Sequence, residues 1–140
     1  CFTGTSSECI EYISRGYYIS ISGFLLKMPF GEQIRQCLVD GIIPLDRLMI
    51  ETDAPYMGFT SCRQEYFDFE KHTLEKLNSK QRKRLLNSTY PNVPSSLVRV
   101  LEGVTKALNE GQRTRGETEL TQAEVAAKCT TNAKTFFGFL

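Results

Sequence analysis

Two carboxylates, Glu51 and Asp53, stand at the end of the apolar run "LMIETDAPY", just ahead of Pro55. A strand's period of two puts Met49, Glu51 and Asp53 on one side and Leu48, Ile50 and Thr52 on the other. Two acids that share a face of a sheet repel each other unless a shared proton or a cation intervenes, and a divalent metal ion is the usual solution. Functional groups of parallel α/β sheets and barrels also collect at the carboxyl ends of strands, which is where Asp53 falls. Asp53 is therefore a candidate metal ligand and general base, with Glu51 one layer deeper as a supporting acid. The alternative is that Asp53 caps the turn that follows and Glu51 is a solvated or hydrogen-bonded barrel acid.

Other residues of chemical interest are more scattered. Lys80, Arg82, Lys83 and Arg84, in "SKQRKRLL", place four positive charges in five positions, enough for a nucleic-acid backbone patch. The same run also reads as a solvated helix face or a nuclear address signal. Thr3 and the Gly4 amide, in "CFTG", are candidates for touching a phosphate, with helix capping as the competing role. Ser20 and Ser22 put small hydroxyls on one side of a strand. Cys1, Cys9, Cys37, Cys62 and Cys129 are odd in number and show no C-x-x-C spacing, and His72 is the single histidine. That pattern argues for reduced core thiols and against a disulfide framework or a Cys/His zinc site.

The elements that must position these groups alternate. Thr5 and Glu8 have the spacing of a capping box opening a helix that stops at Gly16. "YYISISG", Tyr17 to Gly23, is a strand by its β-branched and aromatic content. A helix with Ile34, Cys37 and Leu38 on one face follows Pro29 and Gly31 and ends near Gly41. Pro44 then turns the chain into the strand "RLMIETDA". Strand, helix, strand with short connections is the rhythm of a parallel α/β sheet, and "CFTG" fits the tip of an earlier strand. The stretch from about 58 to 90, with Tyr66, Phe67 and Phe69, is too long for an ordinary loop and reads as an insertion with its own helix. Ser95 or Ser96 caps a helix striped by Leu97, Val100, Leu101, Val104 and Leu108. After the polar linker "GQRTRGETE", Thr121 and Glu124 repeat the capping box, opening a last helix that buries Val125, Cys129 and Phe136 before Gly138.

The 140 residues, 41% hydrophobic, have the composition of one globular domain, and no apolar run is long enough to span a bilayer. Seventeen basic against 16 acidic residues leave any nucleic-acid affinity to local patches. The thiol pattern places the protein in the cytoplasm or nucleus. Opening at Cys1 without methionine, the chain reads as a piece of something longer.

"CFTG", "GYYISISG", "IPLDRLMIETDAPY", "PNVP" and "TTNAKTFFG" occur in the order and spacing of the C-terminal half of TatD-type metal-dependent deoxyribonucleases, which the chain resembles over nearly its whole length outside the insertion. The resemblance implies the C-terminal part of a (β/α)8 TIM barrel, its sixth to eighth strands and closing helices. It also implies hydrolysis of DNA phosphodiesters with two divalent ions, Mg²⁺, Mn²⁺ or Zn²⁺. Matched by position, Asp53 is the metal-binding aspartate of the last strand, while the family's His-x-His pair, bridging glutamate and further histidines fall before Cys1. Val93 departs from the acidic residue many members carry in the "PNVP" loop. The expectation is thus a nuclease as the longer protein and an inactive fragment alone. The alternative is a nucleic-acid-binding or scaffold remnant of the same barrel without chemistry.

Overall fold

The computed structural model describes residues 1–65 and 75–139; Tyr66, Phe67, Phe69 and His72 lie outside the described residues. The order of elements is α1 (Ser6–Ser14), β1 (Ile19–Ile21), a 3-10 turn (Gly23–Leu26), α2 (Glu32–Val39), a second 3-10 turn (Leu45–Arg47) and β2 (Leu48–Ile50). Then come α3 (Ser79–Leu86), a 3-10 turn (Pro94–Ser96), α4 (Leu97–Arg115) and α5 (Gln122–Phe136). The expected α/β class and parallel pairing are present. β1 and β2 run parallel with Ile19 opposite Leu48, Ser20 opposite Met49 and Ile21 opposite Ile50.

Both strands are shorter than "YYISISG" and "RLMIETDA" suggested, because regular pairing stops where the chain must turn. Ser22 already caps the next 3-10 turn by accepting from the Phe24 amide at 3.2 Å. The ladder extends by single bonds beyond the strands: Glu51 N–H donates to the Ile21 carbonyl at 2.9 Å, and Phe2 N–H donates to the Ser20 carbonyl at 2.9 Å. The second of these sets "CFTG" along the outer edge of β1, where an earlier strand was expected.

One face of the sheet supplies Ile19, Ile21 and Leu48 to a core completed by Ile34, Leu38, Val100, Val104 and Val125, all essentially inaccessible to water. Each such side chain contributes about 1.5–3 kcal/mol by leaving water. α2 packs chiefly on α4, and α5 covers β2. Asn132, buried in α5, ties it there by donating from Nδ2 to the Leu45 and Leu48 carbonyls at 2.9 and 2.7 Å. Both capping boxes form, at Thr5 with Glu8 and at Thr121 with Glu124.

Three expectations fail for local reasons. Ser95 and Ser96 make no side-chain cap, because Pro94–Ser96 is itself a 3-10 turn that leads directly into α4. The linker "GQRTRGETE" begins inside α4, which runs on to Arg115 and stops at the left-handed Gly116. Gly111 is no helix stop: a Cβ there would lie 2.0 Å from the Val39 carbonyl oxygen, so it permits the close crossing of α4 over the end of α2. Phe136, placed on the buried face by spacing, is 56% exposed, with its ring edge-on to Tyr18 at 5.8 Å.

Candidate functional site

Glu51 is the first residue past β2, and its carboxylate is tied back to β1. Ser20 Oγ donates to Oε2 at 2.5 Å, and the Cys1 nitrogen lies 2.7 Å from Oε1. Ser22, just past β1, shares a hydrogen bond of 2.9 Å with the Cys1 thiol. The hydroxyls of Ser20 and Ser22 thus serve the groups around Glu51.

Asp53 sits differently. Its φ is +54°, a left-handed conformation that non-glycine residues adopt at a cost and that Asp and Asn tolerate best. Strand alternation therefore ends before Asp53, and the two acids do not share a continuous strand face as period two suggested. Asp53 is exposed, and among the described residues its carboxylate has no hydrogen-bond or ion-pair partner. Nor does it cap the turn: that turn closes through the backbone, Tyr56 N–H to the Asp53 carbonyl at 2.8 Å. Met57 and Ser61 also have positive φ, at 51° and 70°, so the whole exit from β2 is held in unusual backbone geometry. Such geometry persists only where surrounding contacts impose it.

The contacts come from 40 residues downstream. Asn92, only 3% exposed, donates from Nδ2 to the Thr52 and Tyr56 carbonyls, both at 2.8 Å. Its Oδ1 accepts from the Val93 amide at 2.9 Å, and its own amide donates to the Pro55 carbonyl at 2.9 Å. One buried amide thus brackets the turn that carries Asp53 on both sides. Gly58 lets the returning chain approach, since a Cβ there would stand 1.8 Å from the Thr89 carbonyl oxygen. Sequence reasoning missed both residues as positioning groups; the only signal was the proline on either side of "NV" in "PNVP".

The two ends of the insertion are tied to each other. Arg63, nearly buried, donates from Nη2 to the Leu85 carbonyl of α3 at 2.8 Å, and the buried Cys62 thiol faces the Ser88 carbonyl at 3.9 Å. α3 carries Lys80, Arg82, Lys83 and Arg84, all exposed. At about 100° per residue, Lys80, Lys83 and Arg84 fall within an arc of about 100° and Arg82 turns to the opposite side, while Arg84 also borders Gln81.

Thr3 is exposed, and Gly4 lies against Glu8, whose Oε2 would be 2.8 Å from a Cβ at that position. The same oxygen accepts from the Thr5 amide at 2.7 Å and from Thr5 Oγ1 at 2.9 Å. The first turn of α1 therefore already holds a carboxylate, and a phosphate at Thr3 and Gly4 would meet its charge. Two buried thiols are poor nucleophiles: burial drives the Cys9 thiol up to about 12, with Cys37 adding to the shift, and burial drives the Cys129 thiol up to about 11.

Among the described residues, no three His, Cys, Asp or Glu side chains come together as a metal site would require. Glu51 accepts from the Ser20 hydroxyl, and Asp53 supplies one ligand. The residues present do not fit a metal centre by themselves.

An α/β chain with parallel strands and a lone, constrained aspartate at a strand's carboxyl end fits the hydrolases that gather their chemistry at strand ends. The family model described as TatD related DNase matches residues 1–138, and the chain belongs to that family. Over 57 residues the chain is 47% identical to the 3'-5' ssDNA/RNA exonuclease TatD of Cronobacter turicensis and to that of Citrobacter koseri. It is 42% identical over 57 residues to that of Escherichia coli K12. Each match covers 41% of this chain and 21% of the relative, so it spans about a fifth of the relatives' length. Among the described residues, no helix is long and apolar enough to cross a membrane.

Proposed function

We propose that the chain is the C-terminal part of a TIM-barrel nuclease that hydrolyses DNA phosphodiesters, with an insertion at about 58 to 90, and that Asp53 is its contribution to the reacting centre. The observation that carries this reading is the exposed, unengaged Asp53 carboxylate held at φ +54° by the buried Asn92. A free carboxylate so fixed can orient a water and take its proton as that water attacks phosphorus. Family membership and the activity for which the relatives are named, that of a 3'-5' ssDNA/RNA exonuclease, support a nucleic-acid substrate. The divalent ions implied by the resemblance would need ligands from beyond the described residues, with Asp53 as the one this chain offers.

The test is Asp53→Asn in the longer protein. Removing the charge while keeping the shape lowers kcat for DNA hydrolysis by about two to four orders of magnitude, the contribution of a general base. Asn tolerates the left-handed conformation equally well, so the melting temperature holds. Retained activity with a normal melt overturns the assignment.

The second reading, a nucleic-acid-binding or scaffold remnant, is favoured by the absence of a three-ligand cluster among the described residues. It predicts that the longer protein has no divalent-dependent cleavage at all. For the chain alone, no cleavage is expected, since one carboxylate does not make a metal centre.

A further inference from the structure

Between α3 and the segment that returns toward Asn92 lies a groove of about 380 Å³, lined by Arg63, Gln81, Arg84, Leu85, Ser88 and Tyr90. Its composition is unlike that of a surface dimple. Tyr90 presents its ring to solvent at 64% exposure, yet its backbone is fixed: Ser88 Oγ donates to the Tyr90 carbonyl at 2.8 Å and accepts from the Tyr90 amide at 3.4 Å. Arg84, exposed, has no ion-pair partner among the described residues. The nearly buried Arg63 lies beneath, held by the Leu85 carbonyl, and adds a second positive charge to the lining. Gln81 adds an amide that can donate or accept. An aromatic face, two guanidinium groups and an amide in a space of ligand size are the parts that bind an unstacked nucleotide.

We propose that this groove binds one nucleotide of a single-stranded nucleic acid, with the base stacked on Tyr90 and the phosphate against Arg84. The proposal deepens the nuclease reading and rests on it. Asn92, two residues after Tyr90, binds the carbonyl of Tyr56, whose ring is 65% exposed on the Asp53 turn and gives a second aromatic face. Duplex DNA keeps its bases within the stack and offers neither ring a face, so charge and aromatic exposure together favour a single strand.

The test is fluorescence anisotropy of a labelled oligodeoxythymidine of about ten nucleotides with the full chain, in EDTA and at about 0.15 M salt, where diffuse charge effects are screened beyond roughly 8 Å. Tyr90→Ala is expected to weaken binding about tenfold, and Tyr90→Phe, which keeps the ring, to restore it. Arg84→Gln is expected to weaken binding and to lower the slope of log affinity against log salt by about one. Lys83→Gln, outside the groove lining, is expected to change affinity by less than about twofold. The proposal is overturned if Tyr90→Ala binds like the unaltered chain, if Lys83→Gln and Arg84→Gln weaken binding equally, if duplex of the same length binds as tightly, or if nothing binds. No metal and no cleavage enter this readout, so failure here leaves the Asp53 assignment to its own assay.

Discussion

Asn92 offers the strongest test of how the candidate site is built. Replacing it with alanine removes two donors from the Thr52 and Tyr56 carbonyls and the acceptor of the Val93 amide, all at 2.8–2.9 Å. A buried polar group left unpaired costs about 1–3 kcal/mol, and Tyr56 is exposed enough for water to replace part of its loss, which brings the total to about 2–4 kcal/mol. At about 3–5 °C per kcal/mol for a domain of this size, the melting temperature falls by roughly 6–20 °C. Asn92→Asp is the sharper variant, because it keeps the shape and the acceptor but aims a carboxylate oxygen at two carbonyl oxygens. That crowding and burial raise the folded-state pKa of the new acid above its unfolded value of about 3.9. A raised pKa means the folded state binds the proton more tightly, so the variant's deficit is smallest below that unfolded value and grows as pH rises through the folded one. Chemical denaturation at several pH values measures both effects. An alanine variant within about 0.5 kcal/mol of the unaltered chain would refute the bracket as the support of Asp53.

Gly58→Ala should destabilise by about 1–3 kcal/mol, since the added Cβ, 1.8 Å from the Thr89 carbonyl oxygen, meets backbone that cannot give way cheaply; a denaturation midpoint unchanged from the unaltered chain contradicts this. Gly111→Ala should also destabilise despite the better helix propensity of alanine, because its Cβ falls 2.0 Å from the Val39 carbonyl oxygen; a stabilised variant would show that α4 and α2 are not in close contact.

What the sequence revealed was what is decided nearby. The capping boxes at Thr5 and Thr121 formed because donor and acceptor are three residues apart, and β1 and β2 were visible in their β-branched runs. Gly111 misled because a glycine at a helix stop and a glycine at a close crossing have the same letter; only the position of the Val39 carbonyl tells them apart. Asp53 was legible as an acid at a strand end, but not as a left-handed residue, because nothing local requires that conformation. It follows from Asn92, whose two carbonyl partners are 36 and 40 residues away in sequence. Within the basic run, helical geometry keeps Lys80, Lys83 and Arg84 on one side of α3 and turns Arg82 away.

The attachments of the insertion bear on what it can do for catalysis. Arg63 to Leu85, Gly58 against Thr89, and Asn92 to Thr52, Pro55 and Tyr56 join α3 and the Asp53 turn through buried or nearly buried groups. A strand held equally well in the ground and transition states by the groove on α3 lowers KM and leaves kcat unchanged. The attachments allow more than that, because the segment that carries Tyr90 is the one that brackets Asp53. A misplacement of the carboxylate by about 1 Å costs on the order of a hundredfold in rate. Binding in the groove that tightened the path from Ser88 to Asn92 would therefore appear in kcat. A substitution at Gly58, which lines neither the groove nor the place of the attacking water, would on this reasoning affect turnover before it affects binding.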